Sequence, residues 1–291
     1  MKVYFFGKPI SVELSKQLEP VFDQLIALNI DVLINKALHN SMSQKTACLT
    51  FIEIVDLVPD FSLIDCAVSV GGDGTLLELI TQIKGSGTPV LGVNAGRLGF
   101  LATTPIDRSE QILQGILEKK VTFDKRSLIR LDSTGQWFGE QNFALNEFAI
   151  TKRDTSSMIV IKAYIDGQLL NSYWADGLII STPTGSTGYS LSAGGPLVMP
   201  QTNNFIITPI NPHSLTVRPV VVPDNCEIRL KVEGRAKKVL ISLDHRSVSV
   251  KTGVDLVLKK ESFQVNLIKL ESYNYFKTLK NKLNWGLDTR N

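Results

Sequence analysis

The sequence predicts two unlike parts: an N-terminal doubly wound, Rossmann-like α/β domain over residues 1–125, and a C-terminal β-rich, β-sandwich-like domain over residues 126–269, with a closing helix in 270–291 that completes the first part. Three observations predict this. Through the first third, strand-like runs alternate with segments of helical period, the rhythm of a parallel sheet with crossover helices. From about Leu128 the helical period gives way to short alternating runs punctuated by turn residues. One glycine-rich turn, Gly71-Gly72-Asp73-Gly74-Thr75, stands between an apolar run and a helix start, where doubly wound sheets bind their ligands.

Taken in order, Lys2 to Phe6 reads as a strand, and Leu14, Leu18, Val21, Phe22, Leu25 and Leu28 form a helical stripe. Asp31 to Ile34 reads as a second strand and Cys66 to Val70 as a buried one, after which Leu76 to Ile80 opens a helix. Pro89 to Val93 is the next strand and Arg108 to Lys119 the next helix. In the second part, Ile159 to Ile165 followed by Asp166-Gly167 is a hairpin signal. Glu227 to Val232, Glu233-Gly234 and Val239 to Leu243 read as a second hairpin. Tyr273, Phe276, Leu279, Lys280 and Leu283 share one helical stripe, so the closing helix is expected to dock on the first domain.

Composition narrows the function. A chain of 291 residues, 43% hydrophobic and 20% charged, is ordinary for a soluble enzyme. Its 31 basic and 28 acidic residues leave a net charge of only +3, so no nucleic-acid partner is expected. Cys48, Cys66 and Cys226 are odd in number and lack any C-x-x-C pair, which points to thiols in a reducing compartment. No run suits a signal peptide or a membrane span, so the expected setting is cytoplasmic.

The Asp73 turn is the first candidate site. Glycines let backbone N–H groups approach an anion, and the helix start adds about half a positive charge. A carboxylate inside a phosphate cradle points to chemistry, because only a metal ion or a reacting hydroxyl reconciles the two negative groups. The alternative is a tight turn in which Asp73 caps the helix. A second unusual stretch runs from Ala175-Asp176 through the strand Leu178 to Ile180 into a loop dense in hydroxyls and glycines, Ser181 to Ser192. Many neutral donors and acceptors in little space suit a nucleoside, with Tyr189 available to stack on a base and Asp176 to accept a hydrogen bond. The alternative is a Ser/Thr-rich surface loop. Asn146-Glu147 stands at the mouth of the apolar run Phe143 to Leu145, and a carboxylate with an adjacent amide matches vicinal ribose hydroxyls.

Other machinery is absent from the sequence. There is no G-x-x-x-x-G-K-[ST], no G-x-G-x-x-G after a strand and no G-x-S-x-G. His39, His213 and His245 lack paired metal-ligand spacing. Asp244 and His245, read as strand neighbours, face opposite ways and form no dyad.

Together the GGDGT turn, the Asn146-Glu147 pair and the run from Asp176 to Pro196 resemble the NAD kinase family. The resemblance extends through Asn94-Ala95-Gly96-Arg97-Leu98-Gly99-Phe100-Leu101, Pro212-His213-Ser214-Leu215 and Arg218-Pro219, and so covers most of the chain. GGDGT alone is also similar to lipid kinases and phosphofructokinase-like enzymes; the longer second string decides. The resemblance implies transfer of the ATP γ-phosphoryl group to the 2′-hydroxyl of the adenosine ribose of NAD, giving NADP. It implies Asp73 as proton acceptor, Gly74 as a dinucleotide contact, and Asn146 and Glu147 on the nicotinamide-side ribose. Asp176 falls near the nicotinamide end, and Thr187, Gly188, Tyr189, Ser190, Leu191 and Ser192 around the adenine and its ribose. A divalent metal, usually Mg²⁺, and a homo-oligomer, dimer or tetramer, are also implied, with no metal ligands assigned. Two departures stand out: Asp244-His245-Arg246 replaces a polar trio common among relatives, so that Arg246 becomes a candidate phosphate contact, and Trp174 stands where some relatives place arginine. Two further readings are a kinase for another hydroxyl and a dinucleotide sensor without turnover.

Overall fold

A computed structural model of the chain describes residues 1–42, 52–117, 121–153, 158–233, 237–270 and 273–284. Cys48 and Gly234 lie outside these residues. The chain divides into two units, 1–125 with 265–291, and 126–264.

The first unit is built on a parallel sheet. Its strands in chain order are β1 (Lys2–Gly7), β2 (Asp31–Asn35), β3 (Glu53–Val55), β4 (Cys66–Val70), β5 (Val90–Asn94), β6 (Thr104–Pro105) and β7 (Thr122–Arg126). β3, β2, β1, β4 and β5 lie side by side in that order, all parallel. Every residue of β4 and β5 is buried, as expected of strands covered on both faces. The helices are α1 (Val12–Ala27), α2 (Lys36–His39), α3 (Asp73–Ile83) and α4 (Ser109–Leu117). α1 starts where Ser11 accepts a hydrogen bond from the Leu14 N–H and buries Leu18, Val21, Phe22 and Leu25 of the stripe read from sequence, whereas Leu28 of that stripe caps the helix and is exposed. These side chains join Val3, Phe5, Val68 and Leu91 in one core. The strand order reverses direction between β1 and β4, and the Asp73 turn follows β4 at that switch point.

The second unit is a sandwich. Its strands are β8 (Ile129–Leu131), β9 (Phe143–Ala144), β10 (Glu147–Lys152), β11 (Ile159–Ile165), β12 (Gln168–Ala175), β13 (Gly177–Ser181), β14 (Asn204–Ile210), β15 (Val220–Pro223), β16 (Ile228–Glu233), β17 (Lys238–Leu243), β18 (Arg246–Lys251) and β19 (Asp255–Lys260), with the short helix α5 (Tyr189–Ser192) between β13 and β14. They form two six-stranded sheets, ordered β15-β14-β13-β10-β17-β18 and β12-β11-β16-β19-β8-β9. Ile150, Ile180 and Phe205 of the first sheet share a core with Ile161, Leu230 and Leu258 of the second. The β11–β12 hairpin turns at Asp166 and Gly167, whose φ angles of 48° and 82° are those a two-residue turn requires.

The second expected hairpin is not one. β16 pairs with β11 and β19, whereas β17 pairs with β10 and β18, so the two strands belong to opposite sheets. Both strands alternate buried and exposed residues, and each inner face reaches the core from its own side. The true hairpin joins β17 to β18, with Asp244 at φ 53° and His245 as its turn, so these two residues are not strand neighbours.

The chain returns to the first unit through β20 (Val265–Lys269) and α6 (Tyr275–Leu283). β20, inside the stretch expected to be β-rich, pairs in parallel with β5. α6 buries Thr278 and Leu279, whereas Phe276 of the expected stripe is 58% exposed. Among the described residues no helix is long and apolar enough to cross a membrane.

Candidate functional site

In the first unit the site begins at the buried carboxyl end of β4. Gly71 donates its N–H to the Val93 carbonyl at 2.9 Å, and a Cβ there would fall 2.4 Å from Thr75 Oγ1, so only glycine fits. Gly72 is the N-cap of α3 without any side-chain cap bond, and Asp73 is the first helical residue. A Cβ at Gly72 or Gly74 would meet nothing within 4 Å, which leaves the backbone of this turn open to an approaching group. The helix N-terminus thus presents free amides, the setting that favours an anion.

Asp73 does not cap its own helix. Its Oδ2 accepts the Phe100 N–H at 2.9 Å, and its Oδ1 accepts those of Leu101 at 3.1 Å and Ala102 at 3.0 Å. A carboxylate has about four acceptor directions, so one on Oδ2 remains. The turn therefore holds an oriented acceptor beside an anion cradle.

In the second unit, Asn146 precedes β10 and Glu147 opens it, and a second carboxylate organises them. Asp244 Oδ2 accepts the Leu145 N–H at 2.9 Å, and its Oδ1 accepts those of Asn146 at 2.8 Å and Glu147 at 3.1 Å. The hydroxyl-rich loop is bound to the same spot: Thr182 donates its N–H to the Asn146 carbonyl at 2.8 Å and its hydroxyl to the Leu145 carbonyl at 2.5 Å. A Cβ at Gly185 would fall 2.2 Å from the Asn146 carbonyl oxygen, and one at Gly188 would fall 3.0 Å from Glu147 Oε2, so both glycines permit contact with the pair. Burial pushes the Glu147 carboxyl up to about 8; the nearby Asp244 adds to the rise, and the Tyr189 N–H opposes it. Burial also raises Asp244, against the three N–H groups that favour its ionised form. Asn146 Oδ1 and Glu147 Oε2 are buried without a hydrogen-bond partner.

The structure brings Gly188 and Tyr189 to this pair, and Thr187, just before them, closes a 3₁₀ turn at Thr184–Thr187. Tyr189 is 44% exposed and Ser192 is exposed, whereas Leu191 is partly buried and the Ser190 hydroxyl bonds Thr208 at 2.9 Å inside the fold. Asp176 is not brought there. β13 pairs Ser181 with Glu147, and Asp176 precedes the other end of that strand, roughly 16 Å away at strand rise. Its carboxylate meets Lys152 at 2.6 Å and Asn211 at 3.2 Å, and these bonds hold it below the usual carboxylate range.

Arg246 donates to the carbonyls of Gln141 and Phe143, with the Phe138 and Phe143 rings 5.9 and 5.8 Å from its Cζ. It clasps the 138–143 segment. Arg246→Ala is expected to lower stability by about 2–4 kcal/mol, read as a drop in melting temperature, while KM for ATP stays within about twofold. A KM rise of about tenfold or more without loss of stability would return Arg246 to a phosphate-contact role.

Sequence reasoning missed Asp244 and the Phe100–Ala102 amides. Asp-His between two alternating runs was a usable turn signal for the first; nothing local marks the second.

Comparison with known proteins identifies the family. The sequence model of the ATP-NAD kinase N-terminal domain matches residues 3–121, and that of the ATP-NAD kinase C-terminal domain matches residues 145–270. The chain is 49% identical to the NAD kinase of Cytophaga hutchinsonii over 286 residues, covering 98% of each. It is 46% identical to the NAD kinase of Flavobacterium psychrophilum, covering 100% of each. Its fold is similar to that of yeast NADH kinase complexed with NADH, with a TM-score of 0.85 and 23% identity, covering 100% of this chain and 89% of that one. An NAD kinase from Archaeoglobus fulgidus in complex with ATP has a TM-score of 0.76 at 25% identity, covering 98% and 99%. With both domains matched and relatives this close over its whole length, the chain belongs to the ATP-NAD kinase family.

Proposed function

We propose that Asp73 accepts the proton of the adenosine-ribose 2′-hydroxyl of NAD while that oxygen takes the γ-phosphoryl group of ATP. The family's reaction is the phosphorylation of NAD to NADP with ATP as donor, and the chain is an enzyme of that class. The ribose oxygen bonds to the γ-phosphorus, the bond from that phosphorus to the β-phosphate oxygen breaks, and ADP leaves. Such a transfer asks the protein chiefly for alignment and charge stabilisation. The open amides at Gly72 to Gly74 suit the phosphates. The free direction on Asp73 Oδ2 suits the hydroxyl proton.

The observation that carries the NAD reading is the pair of buried, unpartnered acceptors, Asn146 Oδ1 and Glu147 Oε2. Buried acceptors are costly when left unpaired, and vicinal hydroxyls supply two donors in the right chemistry. Tyr189 offers its exposed ring to the adenine, with Thr187, Gly188, Leu191 and Ser192 around it. Among the described residues no three His, Cys, Asp or Glu side chains converge on a cation position. Mg²⁺ entering with ATP would be held chiefly by phosphate oxygens and would supply charge stabilisation there.

A cytoplasmic homo-oligomer completes the proposal. Cys66 and Cys226 are free thiols, which supports a reducing compartment. β12 is an edge strand exposing Leu169, Leu170 and Trp174, the kind of edge that a second copy covers. Light scattering is expected to show a dimer or tetramer that Leu170→Glu with Trp174→Glu reduces in size; a monomeric wild type would remove this reading.

The direct test supplies purified protein with NAD, ATP and Mg²⁺ and follows NADP with an NADP-specific dehydrogenase, alongside a panel of other hydroxyl acceptors. NADP formation is expected. Binding of NAD with no product under any donor would favour the sensor, and turnover only of another acceptor would favour the other kinase.

A further inference from the structure

We propose that Gly99 is a positioning residue for Asp73, absent a side chain so that the segment Gly99 to Ala102 can close its amides onto the carboxylate. The inference rests on the reading of Asp73 as proton acceptor, but its central observation is steric. A Cβ at Gly99 would fall 2.0 Å from Asp73 Oδ1, 2.7 Å from Cγ and 3.0 Å from Oδ2. It would overlap the carboxylate as a whole, and that carboxylate is held by three hydrogen bonds.

Backbone conformation does not explain this glycine. Gly99 is not among the positive-φ residues, so its backbone suits any amino acid and the space filled by Asp73 is the requirement. The segment is itself closely packed: a Cβ at Gly92 of β5 would fall 2.8 Å from Ala102 Cα and 3.0 Å from the Leu101 carbonyl oxygen, so strand and segment already touch. The Gly99 N–H closes the segment on itself by donating to the Ala102 carbonyl at 3.2 Å. With a methyl group at position 99, the carboxylate is the part that moves.

That movement has a chemical consequence. Three amides fix the rotation of the carboxylate and leave one acceptor direction on Oδ2. Displaced from them, Asp73 keeps its charge but loses its aim, and a misplacement of about 1 Å costs on the order of 100-fold in a step that depends on alignment. Gly99→Ala is expected to lower kcat about 10- to 100-fold, with KM for NAD and for ATP within about threefold.

The decisive experiment is a double-mutant cycle read by melting temperature, which does not depend on turnover. Gly99→Ala is expected to lower the melting temperature in the wild-type background and to leave it unchanged in Asp73→Ala, where no carboxylate remains to displace. Equal lowering in both backgrounds would overturn the proposal, as would wild-type kcat in Gly99→Ala. If Gly99→Ala does not fold alone, rescue of folding by Asp73→Ala supports the proposal and failure of rescue overturns it. Full turnover in Asp73→Ala is a separate result: it removes the proton-acceptor reading and leaves the thermal coupling to be judged by itself.

Discussion

Asp73→Asn is expected to lower kcat about 10²- to 10⁴-fold, the usual contribution of a general base, while NAD affinity changes much less. Asparagine keeps the size of the side chain and the first helical position of α3, but its amide end cannot accept a proton. It also presents one acceptor atom where the carboxylate presents two, so at least one of the Phe100, Leu101 and Ala102 amides loses its partner. The variant is therefore also expected to melt at a lower temperature, which separates it from a change confined to the reacting proton. Calorimetric titration of NAD and steady-state NADP formation together check the result. Near-normal kcat would remove Asp73 from its assigned role, and a loss confined to KM would make it a binding residue.

The parts of this molecule that were legible in sequence are those whose cause is local. β4, the glycine turn and α3 could be read because a buried apolar run, three glycines and a helical stripe follow one another within 20 residues, at 66–83. Asp166-Gly167 announced its hairpin because only a few residue types accept two positive φ angles in succession. The second hairpin failed for the opposite reason: β16 and β17 choose partners by which side of the sandwich core they cover, and turn residues between them carry no such information. Likewise Arg246 reads from sequence as a candidate phosphate contact, and only the fold places the Phe138 and Phe143 rings beside it.

The candidate site shows the same division. The residues that would touch substrate were readable by their chemistry, whereas the contacts that orient them span 27 to 29 positions at Asp73 and 97 to 99 at Asp244. Both carboxylates solve one problem in one way, with Oδ2 taking the first of three successive amides and Oδ1 the next two. A carboxylate so held rigidifies a bend that lacks a sheet partner for its N–H groups. At Asp73 the carboxylate is itself the group proposed to take the proton. At Asp244 it serves the neighbouring Asn146-Glu147 pair.

Glu147→Gln is expected to stabilise the protein at alkaline pH and to weaken its grip on NAD. Burial lifts the Glu147 carboxyl from 4.5 to about 8, with Asp244 adding to the effect. Below pH 4.5 the group is protonated in folded and unfolded chains alike and carries no penalty. Between 4.5 and about 8 the folded chain keeps a proton that the unfolded chain releases, so stability falls as pH rises and the loss is complete above about 8. Glutamine has the shape of the protonated form and does not titrate. The two proteins should melt alike near pH 4, while at pH 9 the variant should be more stable by an amount on the order of 3–5 kcal/mol. Binding should move the other way, because ribose hydroxyls donate more strongly to a carboxylate than to an amide oxygen. At pH 9, where the wild-type carboxyl is ionised, KM for NAD is expected to be about 10- to 100-fold higher in the variant with kcat little changed. In the wild type, NAD affinity should grow between pH 6 and 9 as the ionised fraction grows, and that slope should vanish in the variant. Melting curves and NAD titrations across this range check both arms. A variant less stable than wild type at pH 9 would contradict the buried, raised carboxyl, and one that binds NAD as tightly as wild type at pH 9 would remove Glu147 from the ribose.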